Sequence, residues 1–175
     1  MATVTNTSVT IDNLTYDLYE DNTAIIKSCI ESISGEFTIP STIEYGEEGE
    51  EKKEYSVISI GVRAFWYCEN ITDIKIPDSI KSIDFEAFLD CTGLESMTIP
   101  FIGATKDGTT NTHFGYIFGA SSHGYHKTRV PESLKTVVIT NGATSVSTNA
   151  FTWCSNIENI IFPDSVTSIG DFAFA

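Results

Sequence analysis

The segment Ile71-Thr-Asp-Ile-Lys-Ile-Pro77 returns 23 residues later as Leu94-Glu-Ser-Met-Thr-Ile-Pro100. It returns again as Leu134-Lys-Thr-Val-Val-Ile-Thr140 and, another 23 on, as Ile157-Glu-Asn-Ile-Ile-Phe-Pro163. A second segment keeps step: Ile60…Ala64-Phe65…Cys68, Ile83…Ala87-Phe88…Cys91, Val146…Ala150-Phe151…Cys154, and a last copy from Ile169 to Ala173-Phe174-Ala175. A chain with this period builds one small unit many times, and each unit can hide its apolar side only against its neighbours. The alternation at Ile74 and Ile76 puts both side chains on one face of a short strand, so Asp73 and Lys75 point the other way. Pro77 ends that strand because it has no N–H for a ladder. Ile80, Ile83, Ala87, Phe88 and Cys91 are the remaining inward set. Stacked copies place Phe65, Phe88 and Phe151 in one internal ladder, with parallel strands ~4.8 Å apart.

Twenty-three residues is the length of a leucine-rich repeat. The run Ile76-Pro-Asp-Ser-Ile80-Lys-Ser-Ile83-Asp-Phe-Glu-Ala87-Phe88-Leu-Asp-Cys91-Thr-Gly-Leu94 resembles the BspA-like leucine-rich repeats of bacterial and protist surface proteins. The resemblance covers the chain from about Tyr55 onward and is specific because it recurs in register. It implies a surface-exposed or secreted protein that adheres to host or neighbouring-cell molecules. We therefore expect an α/β-type, strand-rich leucine-rich-repeat solenoid, with an N-terminal β-hairpin cap and a parallel sheet on its concave side. One copy departs from the pattern: Thr140-Asn-Gly-Ala143 replaces Pro-x-Ser-Ile, so a looser turn is expected there.

Two regions are expected. Residues 1–54 hold the cap, a degenerate first repeat and an acidic loop. Leu14, Tyr16 and Leu18 alternate, Glu20-Asp21-Asn22 turns the chain, and Ala24-Ile25-Ile26 returns it. Phe37-Thr-Ile39-Pro40 reads as a first strand. Glu44 to Glu54 carries six glutamates, which marks a solvated loop. Residues 55–175 hold the repeats, with an insertion at about 103–131 that lengthens one repeat to 40 residues. The sequence ends half a turn into a repeat at Phe172-Ala-Phe-Ala175. That ending suggests either a fragment or an end that pairs with another chain, so self-association through it is a second expectation.

Charge narrows the partners. Ten Lys+Arg against 24 Asp+Glu give a net charge of −14, which repels phosphate backbones and argues against nucleic acid and anionic membranes. No apolar run reaches the ~20 residues of a membrane helix. Met1 to Asn13 has neither a basic n-region nor an apolar h-region, so no signal peptide is read there. The chain is either cytoplasmic or exported by a signal lying elsewhere.

Chemistry is sparse. Cys68, Cys91 and Cys154 share one inward column and read as buried thiols, whereas Cys29 has no visible partner. His113, His123 and His126 match no familiar metal spacing and read as surface residues of a loop. No acid pair, nucleophile–base pair or phosphate loop emerges, so we expect no catalytic residue, cofactor or metal. Binding positions can be named from register alone. Asp73, Lys75, Ser96, Thr98, Thr136, Val138, Asn159 and Ile161 face outward on the strands and change chemistry from copy to copy. The insertion has a local charge of +2 and carries Phe114, Tyr116, Phe118 and Tyr125. Phe114-x-Tyr116-x-Phe118 alternates like a strand with one buried side. Tyr125, Lys127 and Arg129 are the expected exposed anchors for a protein or glycan partner.

Overall fold

The strand segments of the repeat pair as their pattern requires. The computed structural model describes residues 4–30, 32–140 and 143–175. Five strands form one parallel sheet: β4 (Gly35–Thr38), β7 (Ile71–Lys75), β9 (Ser96–Ile99), β10 (Thr136–Ile139) and β12 (Asn159–Ile161), adjacent in that order. Ile74 pairs with Met97, Met97 with Val137, and Val137 with Ile160. Ile74, Met97 and Val137 are buried to within 1%. At ~25 cal/mol per Å² of buried apolar surface, a fully buried side chain of this size contributes roughly 1.5–3 kcal/mol. The inward column is therefore what fixes the register, because a one-residue slip would expose all of it.

A second set of parallel strand pairs links neighbouring repeats. β6 (Lys53–Ile60) pairs in parallel with β8 (Ser82–Ile83), and β11 (Ser145–Val146) with β13 (Ser168–Ile169). Ser59 and Ser82 hydroxyls meet at 2.7 Å across the first pair, which satisfies two half-hidden polar groups together. Beyond the short strand the chain makes two tight turns, and the backbone N–H of one repeat bonds the next. Phe65 N–H donates to Ala87 O at 2.8 Å, and Phe151 N–H to Ala173 O at 2.7 Å.

At the N-terminal side, β1 (Val4–Ile11), β2 (Leu14–Tyr19) and β3 (Thr23–Cys29) form an antiparallel meander. Leu14, Tyr16, Leu18, Ala24 and Ile26 are its buried side. β3 then runs parallel to β6, which joins the meander to the repeats. The acidic stretch is shorter as a loop than its composition suggests. β5 (Thr42–Tyr45) pairs antiparallel with β6, so Glu44 stands opposite Glu54 and the loop proper is 46–52. The glutamates stay exposed because both strands turn that side to solvent. The expected loose turn at 140–143 includes Asn141 and Gly142, which lie outside the described residues.

Three side-chain expectations need correction. Cys29 does have a partner: its sulfur is 1.99 Å from that of Cys68, a disulfide between the end of β3 and the turn after β6. Phe114–Phe118 is a 3-10 helix, not a strand. With three residues per turn, Phe114 and Ile117 share one face, and Phe118 buries beside them. The histidines are not all at the surface, since His126 is fully buried and His113 half-buried.

Candidate functional site

The parallel pairing sorts the outward strand residues into two rows. Glu36, Asp73, Ser96, Thr136 and Asn159 stand side by side in one. Thr38, Lys75, Thr98, Val138 and Ile161 make the other. All eight strand positions named from the sequence are in these rows, and none is buried. Glu36 and Thr38 join them from β4. The signal for both was present, since they flank Phe37 in the first strand.

Short side chains hold this face in order. Thr72 Oγ1 donates to Asp73 Oδ2 at 2.8 Å, so the carboxylate is oriented by its own neighbour. Lys75 Nζ donates to Glu36 across the sheet edge, and that bond raises the Lys75 pKa. Both groups are exposed, so the pair orders the face more than it stabilises the fold. Beside the first row lies a groove lined by Asp73, Glu95, Ser96, Ser133, Lys135 and Thr136. Glu95, Ser133 and Lys135 escaped the sequence reading because they lie just outside the strand period.

The insertion supplies a second groove. α1 (His126–Arg129) follows a 3-10 turn at His123–Tyr125. Lys127 and Arg129 line this groove with Asp90, Thr92, Val130 and Glu132. Tyr125, whose carbonyl accepts a bond at 3.0 Å from Thr128 of the groove wall, is 55% exposed. The two grooves abut where Ser133 Oγ bonds the carbonyls of Thr92 at 2.8 Å and Leu94 at 2.7 Å. Asn156 Nδ2 donates to Pro131 O at 2.7 Å and to Leu134 O at 3.1 Å, which fixes the end of the insertion.

A buried His and Cys lie under the insertion. His126 Nδ1 is 2.7 Å from Thr152 O and 3.4 Å from Cys154 Sγ. A carbonyl only accepts, so Nδ1 carries a proton and cannot take one from the thiol. Burial pushes the Cys154 thiol up to about 12 and pulls the imidazole down to about 4. A catalytic cysteine needs the opposite shifts, so this pair is a packing contact and not an activated nucleophile. The neutral imidazole is the form the fold favours. Its contribution to stability is complete above the ordinary value of 6.5 and is lost as pH falls toward 4. Among the described residues, no group of three or more His, Cys, Asp or Glu could hold a metal ion.

Known proteins share this architecture. The family profile described as BspA type Leucine rich repeat region matches residues 52–107 and 130–175, in six copies. A leucine rich cell surface protein from Faecalibacterium prausnitzii is 28% identical, with a TM-score of 0.54 over 98% of this chain and 46% of its own. A leucine-rich repeat protein from Bacteroides ovatus is 25% identical, with a TM-score of 0.50 over 95% of this chain and 44% of its own. The pneumococcal vaccine antigen PcpA, 16% identical with a TM-score of 0.50 over 98% of this chain and 48% of its own, shares the fold alone. The chain thus spans about half the length of these structures. No curated protein matches it. No helix among the described residues is long and apolar enough to cross a membrane.

Proposed function

Because this chain belongs to the BspA type leucine-rich repeat family, we propose that it is a non-catalytic binding module. Its ligand is a surface protein or glycan of a host or neighbouring cell. The sheet face serves as the concave wall, the N-terminal meander as the cap, and the insertion as a flanking grip. The observation that carries this reading is the pairing of a fixed interior with a varied exterior. Ile74, Met97 and Val137 repeat inside, while Asp73, Ser96, Thr136 and Asn159 differ outside at the same register. Solenoids present such surfaces to large partners. The neighbour from F. prausnitzii being described as a cell surface protein supports the location.

The test is binding to arrayed glycans and purified surface proteins, with variants on the strand face and on the insertion. Lys75→Ala, Thr136→Arg and Tyr125→Ala should each weaken capture about tenfold, as loss of an anchor worth ~1.4 kcal/mol would. None should move the thermal midpoint by more than a degree or two, since each side chain is partly or fully exposed. Binding that survives all three substitutions would rule out the strand face around Lys75 and Thr136 and the exposed Tyr125.

A second reading has its own support. Ile161, Ile169, Phe172 and Phe174 are 54%, 59%, 70% and 50% exposed at the C-terminal face. Ile169 and Phe174 stand in columns whose other members are buried. On this reading that face docks on a second copy of the chain.

A further inference from the structure

We propose that the His113–His126 contact is an acid-release latch, which holds segment 121–130 against the repeats while His126 is neutral and frees it when His126 is protonated. Segment 121–130 carries Tyr125, Lys127 and Arg129, so the proposal rests on the binding reading for its consequence.

The latch follows from where the protons must sit. Nδ1–H of His126 donates to Thr152 O, a carbonyl of the repeat wall. The other nitrogen, Nε2, is then bare in the neutral ring. Two donors converge on it: His113 Nδ1 at 2.8 Å and Gly115 N–H at 3.3 Å. Glycine is needed at 115, because a Cβ there would lie 2.4 Å from His126 Cδ2. A second proton on His126 turns Nε2–H against Gly115 N–H. His113 can accept it only by moving its own proton to its far nitrogen, and Gly115 N–H still loses its acceptor.

Among the described residues, the Thr152 carbonyl favours the new charge, and burial and the neighbouring histidines outweigh it. The ring of His126 is fully buried, and the His113 ring lies 5.0 Å away. His123, Lys127 and Arg129 on the same segment are basic. From the 3-10 helix comes Tyr116, a neutral phenol whose ring is 6.2 Å from His113. From the repeat turn come the Thr152 carbonyl and the neutral Cys154 thiol. Among the described residues, no carboxylate bonds either imidazole. Desolvation first, then the neighbouring His113, accordingly lowers the His126 pKa.

The release is local because the rest of the insertion is fastened separately. Phe114 N–H donates to Ala150 O, and Phe88 N–H to Ile117 O. Phe114, Ile117 and Phe118 are in the core, whereas only His126 and Val130 are buried within 121–130. The segment's hydrogen bonds from Tyr125 N–H to Ser122 O and from Thr128 Oγ1 to Tyr125 O stay within itself. Its ends are set by Gly119, at φ +90°, and by Pro131, held by Asn156.

Nuclear magnetic resonance of the whole chain tests this without any partner, so failure of the binding assay leaves it intact. At neutral pH the His126 ring nitrogens should report the Nδ1–H tautomer. On acidification, amide signals of 121–130 should shift or broaden together with His126 protonation. The midpoint should lie at least one unit below an ordinary histidine's, about 6.5. Strand amides of 71–75 and 96–99 should keep their native positions. His126→Gln retains a donor for Thr152 and an acceptor for Gly115 but cannot take a proton, and should abolish the transition. Should that variant not fold, His123→Gln provides the second arm: it removes an exposed neighbouring charge and should move the midpoint upward. An ordinary titration of His126 would overturn the latch. So would fixed 121–130 signals through its protonation, or loss of the strand signals in the same step.

Discussion

Arg63, Glu86, Asn149 and Phe172 all have φ between 56° and 63°, and Tyr67, Asp90 and Trp153 form a second column between 59° and 62°. The two turns that close each repeat explain this. Ala64 N–H bonds Gly61 O, and Cys68 N–H bonds Phe65 O, so Arg63 and Tyr67 are each the third residue of a four-residue turn. A positive φ at that place suits glycine or asparagine. Asn149 and Asp90 accept it at low cost, whereas a bulky residue such as Trp153 is strained by roughly 1–2 kcal/mol. Trp153 is 58% exposed, so its indole recovers little by packing. Trp153→Asn should therefore raise the unfolding free energy by about 1 kcal/mol, seen as a higher denaturant midpoint at unchanged slope. A lower midpoint would show that the indole packs for more than its backbone costs.

The insertion looks like an interruption in the sequence and acts as a repeat in the structure. Phe88 N–H donates to Ile117 O at 2.9 Å, the bond that Phe65 N–H makes to Ala87 O. Ile117-Phe118 thus stands where other repeats place Ala-Phe. The ring of Phe118 is 6.3 Å from Phe88 and 5.4 Å from Phe114, which reaches Phe151 at 4.9 Å. Phe118→Ala should cost about 3–5 kcal/mol, as for a buried Phe anywhere in the core. Tyr125→Ala, seven residues on, should cost under about 0.5 kcal/mol. Equal small losses in chemical denaturation would mean the insertion is only laid on the surface. The strand rows were legible because period-2 alternation recurs at fixed spacing, so one copy checks another. The insertion's helix was not, because Phe-x-Tyr-x-Phe fits a strand and occurs once. Cys29 and His126 were hidden for the same reason: neither stands in a repeated column. Their burial is set by contacts with Cys68 and with Thr152, far along the chain.

Across the molecule one aromatic stack records how far the core is covered. Phe37 meets Phe65 at 6.3 Å, Phe65 meets Phe88 at 5.0 Å, and Phe151 meets Phe174 at 5.8 Å. Phe65, Phe88, Phe118, Phe114 and Phe151 are 0–2% exposed, but Phe174 is half exposed. Each inner ring is covered by the repeat that follows it. At the last one, Ile169, Phe172 and Phe174 face outward together with a groove lined by Trp153, Ile157 and Ile160. Among the described residues, β12 and β13 are also the last strands of their sheets at that edge. On the second reading, apolar area and an edge strand together suit a second copy, despite the −14 charge that each chain carries. Charge repulsion weakens with salt while apolar burial does not. Light scattering should therefore find a mass rising above 19.2 kDa with protein concentration, and more so as salt is raised. Phe174→Asp places a charge in the centre of the face and should hold the mass at one chain under every condition. A wild-type mass that stays at one chain throughout the same range would dismiss the pairing. A Phe174→Asp chain that still associates would move the contact elsewhere, since the stack would then have no part in it.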